Sequence, residues 1–223
     1  MREVAVQSLA CEILVGGEED GPIGEGPGVE EHPIGDLRRQ PQPDWRLSMY
    51  GFRVTKYDPS RRDARGAFLD PDWTSHSDIG KVFGGKKLEI DEYLRVESAY
   101  VAAARAFFQE AGCPALGVVD LESNDVQPST VALGLANLVD PPVQEGERVE
   151  DAQLERLCRL NLRELVWCKL EAESGALYVH FGQDFYMYIG TKAPSEDVVR
   201  RVAASGLFVE PMRSPYLDDE EPA

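Results

Sequence analysis

Glu97, Asp78 and His180 are the side chains of this chain best suited to acid–base chemistry in a shared cleft. A histidine near neutrality can act as a general base, but it needs an acid to orient it and a nucleophile to activate, and spacing along the chain supplies neither. The run Ser75-His76-Ser77-Asp78 carries the residue types of nucleophilic catalysis. Members of such triads meet through the fold and not as chain neighbours, so turn-making hydroxyls and a turn-making carboxylate are the expectation there. His32, His76 and His180 show no HExxH or HxH spacing. Cys11, Cys113, Cys158 and Cys168 show no CxxC and have no histidine nearby. No metal site or redox pair is expected, and the thiols are expected to be free and buried. The glycines at 24, 26 and 28 and at 84 and 85 lack the strand–turn–helix setting of a phosphate loop, and no GxxxxGK(S/T) occurs. Nucleotide binding is not expected, and no cofactor is.

The elements that must position these residues follow from periodicity. Ile90, Tyr93, Leu94, Tyr100, Val101, Ala104, Phe107, Phe108 and Ala111 recur at i, i+3, i+4 spacing until Gly112, which predicts a helix. Glu97 falls on that apolar stripe. A lone buried carboxylate is costly, so it must reach the helix edge or meet a tyrosine hydroxyl, an arginine or a backbone donor; a functional carboxylate in a pocket is the alternative. A second helix is predicted over about 150–164 from Leu154, Leu157, Cys158, Leu162 and Leu165. A third is predicted after Ser195, its N-cap, with Glu196 and Asp197 in the first turn and Gly206 at its end. Strands are predicted at 49–54, 115–121 and 207–212, and a short hairpin around Gly84-Gly85. The segment 127–146, broken by Pro128, Gly134 and Pro141-Pro142, gives no clear pattern.

Residues 165–191 carry three alternating runs joined by Ser174-Gly175 and by Gly182-Gln183-Asp184, which predicts a three-stranded antiparallel meander. A three-residue second loop would pair Phe181 with Phe185, Val179 with Met187 and Leu177 with Ile189. Cys168, Leu170 and Ala172 would join the same apolar side. That side must pack on helices, so the fold class is α+β, an antiparallel sheet against two or three helices. The other side would gather Trp167, Lys169, Glu171, Tyr178, His180, Tyr186 and Tyr188, with His180 across from Lys169 and Tyr186. Such a surface is expected either as the half-covered side of a sheet or, given its tyrosines and tryptophan, as a face displayed to a partner; an active site around His180 is a third option.

The chain has 23 Lys and Arg against 40 Asp and Glu, a net charge of −17. That field repels phosphate backbones and attracts basic surfaces, so nucleic acid is not expected as a partner. No stretch has the length and apolarity of a membrane span, and the first residues lack the features of a signal peptide, so a cytoplasmic location is expected. Residues 16–48 are rich in Gly, Pro and acids, which predicts disorder, and the composition changes at Met49. A single domain over 49–216 is expected, with residues 1–48 a leader ahead of a start at Met49 and 217–223 an acidic tail. A chain beginning at Met49 is expected to keep its melting temperature, and a large drop in a thermal melt would refute that.

Several runs taken together resemble a group of small, mostly uncharacterised bacterial proteins. They are Thr55-Lys56-Tyr57-Asp58-Pro59, Trp73 to Lys81, Glu92-Tyr93-Leu94, Trp167 to Glu171 and Val179 to Gly190. Some of that group resemble immunity proteins of polymorphic toxin systems, which bind and block a cognate toxin domain. The resemblance spans about 49–216 and assigns no catalytic residues. It implies a non-enzymatic protein-binding module that blocks a toxin domain; the acidic charge makes a basic partner the expectation, with Trp73, Asp78, Trp167 and the displayed sheet face as the expected contacts. A small hydrolase using Glu97, Asp78 and His180, or a housekeeping interaction module, are the alternatives.

Overall fold

The structure, a computed structural model, describes residues 49–217. The segments 1–48, with Cys11, His32 and the expected leader, and 218–223, with most of the acidic tail, lie outside the described residues.

Nine strands and four helices run in the order β1 (Tyr50–Thr55), β2 (Val82–Phe83), β3 (Lys86–Lys87), α1 (Ile90–Ala111), β4 (Leu116–Ser123), α2 (Pro128–Ala132), β5 (Arg148–Val149), α3 (Asp151–Leu162), β6 (Val166–Glu171), β7 (Leu177–Phe181), β8 (Tyr186–Thr191), α4 (Glu196–Ala204) and β9 (Phe208–Pro211). Seven strands form one antiparallel sheet in the order β5-β4-β6-β7-β8-β1-β9, and β2 and β3 form a separate hairpin. The fold is α+β, with the antiparallel sheet against helices as its residue pattern predicts. Among the described residues no helix is long and apolar enough to cross a membrane.

Two helix ends carry their sequence signals. Gly112 ends α1 in the left-handed conformation (φ 61°), and the Ser195 hydroxyl caps α4 by accepting from the Val198 N–H at 3.2 Å. Gly84 and Gly85 both have positive φ, as a two-residue hairpin turn demands. The helices cover one sheet face. Tyr93, Tyr100 and Phe107 of α1, Leu154 and Leu157 of α3 and Val198 of α4 join one apolar core with Val54, Val118, Leu170, Val179, Met187 and Ile189. The three described cysteines are free and buried within it, and burial raises the Cys168 thiol to about 11.

The meander departs from expectation at its second turn. Phe181 pairs with Met187, Val179 with Ile189 and Leu177 with Thr191, so the loop is Gln183-Asp184-Phe185 and His180 faces Tyr188 instead of Tyr186. The pairing has moved by two residues, which leaves every side chain on its predicted face. Phe185 is drawn into the loop because its ring buries edge-on against Trp73 (4.9 Å) and Tyr100 (5.4 Å). The segment 127–146 contains α2 and is tied down mainly by side chains from α3 and from Arg163, which caps that helix. Arg163 donates to the Leu135 carbonyl at 2.9 Å, and Arg156 to that of Leu138 at 3.0 Å.

Candidate functional site

The second sheet face gathers the expected residues, but the chain itself covers it. Beyond β9, residues 212–217 fold back across this side. The Ser214 hydroxyl meets His180 Nδ1 at 2.9 Å, the Tyr216 ring packs edge-on against Trp167 at 5.5 Å, and Leu217 buries against Tyr178 and Tyr188. Lys169, Tyr178, His180 and Tyr188 are buried, Tyr178 at 1% and His180 at 0% exposure. Trp167, Glu171 and Tyr186 are half-buried. The displayed recognition face is therefore corrected. The alternation is right, and a strap of apolar and hydroxyl side chains takes the place given to a partner. His180 is used within it, stacked on Tyr178 at 4.5 Å with Nε2 against Glu171 at 3.1 Å. Lys169 pairs with Asp120 at 2.7 Å. Leu217, expected in the acidic tail, belongs to this cover.

Glu97 lies with α1 on the helix side of the sheet, whereas His180 points to the strap side, so no cleft joins them. The hydrolase constellation of Glu97, Asp78 and His180 is corrected accordingly. Glu97, at 0% exposure, receives the Arg163 guanidinium in a fork, Nε at 2.6 Å and Nη2 at 2.9 Å, and Arg159 as a further donor. Of the partners open to it from sequence, an arginine is the one found. Asp78 caps its own loop, accepting from the Thr74 N–H at 2.8 Å and from Lys81 at 2.7 Å, as a turn-making carboxylate does. His76 is buried, with Nε2 on the Thr130 hydroxyl at 2.9 Å, and burial followed by the nearby Arg163 charge lowers its pKa. Trp73 is buried beneath the Lys56 ammonium at 4.0 Å.

A cleft of about 360 Å³ lies open between the end of α3 and the β7–β8 loop, walled by Thr74, Asn124, Glu164, Trp167, Gln183 and Asp184. Glu164 stands at the point where α3 stops. The Glu164 N–H bonds the Asn161 carbonyl at 3.0 Å, and the Leu165 N–H bonds that of Leu160 at 2.9 Å, the paired bonds of a Schellman end. The position past the helix cap in that motif is left-handed and normally glycine; here it is glutamate with φ 55°. A residue with a Cβ there costs about 1 kcal/mol relative to glycine. Partial desolvation, then the Asp78 and Asp184 charges, raise the pKa of Glu164, although its side chain is exposed and solvent screens much of the repulsion. Asp184 and Phe185 across the cleft are left-handed too, at φ 57° and 60°. Backbone held in a sparsely populated region at three residues of one cleft marks it as the candidate site.

Periodicity alone does not reveal Glu164 and Asp184. With no glycine at its end, α3 reads as continuing through Glu164, and the hairpin loop reads one residue early; the only signal was the polar, turn-type character of Gln183-Asp184. Among the described residues no group of three or more His, Cys, Asp or Glu is arranged to hold a metal ion. No family model, curated protein or solved structure matches the chain.

Proposed function

We propose that this chain is a protein-binding module that inhibits a basic partner by taking a lysine or arginine of that partner into the cleft beside Glu164. One observation supports this above the others. Glu164 keeps a position that glycine would fill at lower cost, close to two further carboxylates. A side chain that adds like charge at a strained backbone position points to something other than stability. An entering cation would meet Glu164, Asp184 and the half-buried Trp167 ring, which line the cleft, and the charge of −17 would speed its approach. In the setting that the family resemblance implies, the partner is a cognate toxin domain and the chain its immunity protein. A housekeeping interaction module would use the same cleft.

The full chain, used as bait in its host, is expected to retain one basic protein that on reconstitution forms a one-to-one complex weakened by salt. Glu164→Gln combined with Asp184→Asn should weaken it by about tenfold to a hundredfold, since a bond to a charged group is worth about 1.5–3 kcal/mol. Stability should move the other way. The folded pKa of Glu164 lies above its unfolded value, so its ionisation costs stability, nothing at acid pH and the full amount above the carboxylate range. Because Glu164 is exposed and solvent screens its charge, Glu164→Gln should stabilise the chain only slightly at neutral pH and lose that advantage in acid. Glu164→Gly should raise Tm by about 3 °C. An affinity unchanged by the double substitution would show that the partner docks elsewhere.

A further inference from the structure

A second pocket, of about 260 Å³, opens beside α1 and differs from the rest of the molecule in charge. Lys56, Lys86, Lys87 and Arg95 line it with only Asp72 and Glu92 as carboxylates, in a chain whose net charge is −17. Lys56 is its buried cation. Its ammonium lies 4.2 Å from the Tyr57 ring centre and 4.0 Å from that of Trp73, and Asp72 takes one hydrogen bond at 2.6 Å. An ammonium has three N–H donors, and aromatic faces attract its charge without satisfying those donors as an oxygen would. Desolvation lowers the Lys56 pKa despite Asp72, the sign of a cation short of acceptors. At the mouth, Arg95 is forked onto Glu92 at 2.8 Å and Lys87 meets Glu89 at 3.0 Å, while Lys86 has no ion-pair partner among the described residues. Trp73, Phe83, Leu88, Val96 and Leu207 supply an apolar lining.

The geometry points to a binding site for a small amphipathic oxyanion, a carboxylate or phosphate group carried on a single apolar ring or short chain. The oxyanion takes the free donors of Lys56 and Lys86, and the apolar body packs on Trp73 and Leu207. The volume sits at the lower end of ligand pockets, which limits the body to about one ring. Carboxylate and phosphate share this chemistry, and their relative affinities distinguish them. This site is independent of the Glu164 cleft.

The test is titration of the full chain at low salt with phenyl phosphate, benzoate, inorganic phosphate and benzyl alcohol, followed by calorimetry and by tryptophan fluorescence, since the Trp73 ring lines the pocket. One or both aryl oxyanions should bind saturably and more tightly than inorganic phosphate or benzyl alcohol, which carry only half of the recognised chemistry. Lys86→Ala, an exposed change that leaves the core intact, should weaken that binding about tenfold, the loss of one charge-assisted bond. Lys56→Met, checked for folding by circular dichroism, should abolish it; if this variant unfolds, Lys86→Ala decides alone. No saturable binding of either aryl oxyanion up to about 10 mM, the weak end of specific affinity, overturns the assignment. So does an affinity that Lys86→Ala leaves unchanged.

Discussion

Glu97→Ala is expected to destabilise the chain by about 3–5 kcal/mol, against the roughly 5–15 kcal/mol stability of an ordinary domain. The carboxylate is wholly buried, and its removal strands the Arg163 guanidinium, itself at 5% exposure, with only the Leu135 carbonyl and Asn137 as acceptors. The cost comes from the orphaned cation more than from the lost attraction, because a buried ion pair contributes little over an apolar pair of the same shape. Glu97→Leu with Arg163→Met should therefore recover most of the loss, although Arg163 also ties down the irregular segment 127–146. Urea unfolding measures both. A loss below about 1 kcal/mol for Glu97→Ala would mean that water reaches Arg163 and that the pair behaves as an exposed one.

How far the sequence discloses this molecule depends on which interactions decide each part. α1 is legible because its stripe, its first-turn acids and Gly112 agree. The meander is legible in parity, since alternation fixes which face each residue takes, but its loop is displaced by one residue because Phe185 gains more from an aromatic pocket formed by distant residues than from a ladder position. The covering of the second face is invisible for a similar reason. Ser214-Pro215-Tyr216-Leu217 has no period, and its binding to Tyr178, His180 and Trp167 is a tertiary event. The site was the least legible part. Glu164 terminates a helix without the residue that normally announces termination, and local rules fail most often where a side chain is kept against them.

Among the described glycines an added Cβ would meet its tightest contact at Gly190, which makes Gly190→Ala the second large effect. Gly190 lies directly opposite Tyr178 in the β7–β8 ladder, and the Tyr178 ring folds across it, so an added Cβ would stand 1.9 Å from Tyr178 Cε1. That distance is far inside van der Waals contact, and the ring has nowhere to retreat. It stacks on His180, its hydroxyl accepts from the Ser214 N–H at 3.4 Å, and Leu217 closes over it. Overpacking of this kind costs about 1–3 kcal/mol, and the covered ring places Gly190→Ala at the upper end. Tyr178→Ala alone should cost about 3 kcal/mol through the cavity it leaves. With Tyr178 already alanine the new methyl meets open space, so the double variant should be less destabilised than the two losses added together, by about 1–3 kcal/mol. Strict additivity would mean that the ring leaves Gly190 in solution, and with it the strap that holds it there. Faster amide exchange at Ser214 in Gly190→Ala would report the same clash from the other side, since the strap must lift for the ring to move.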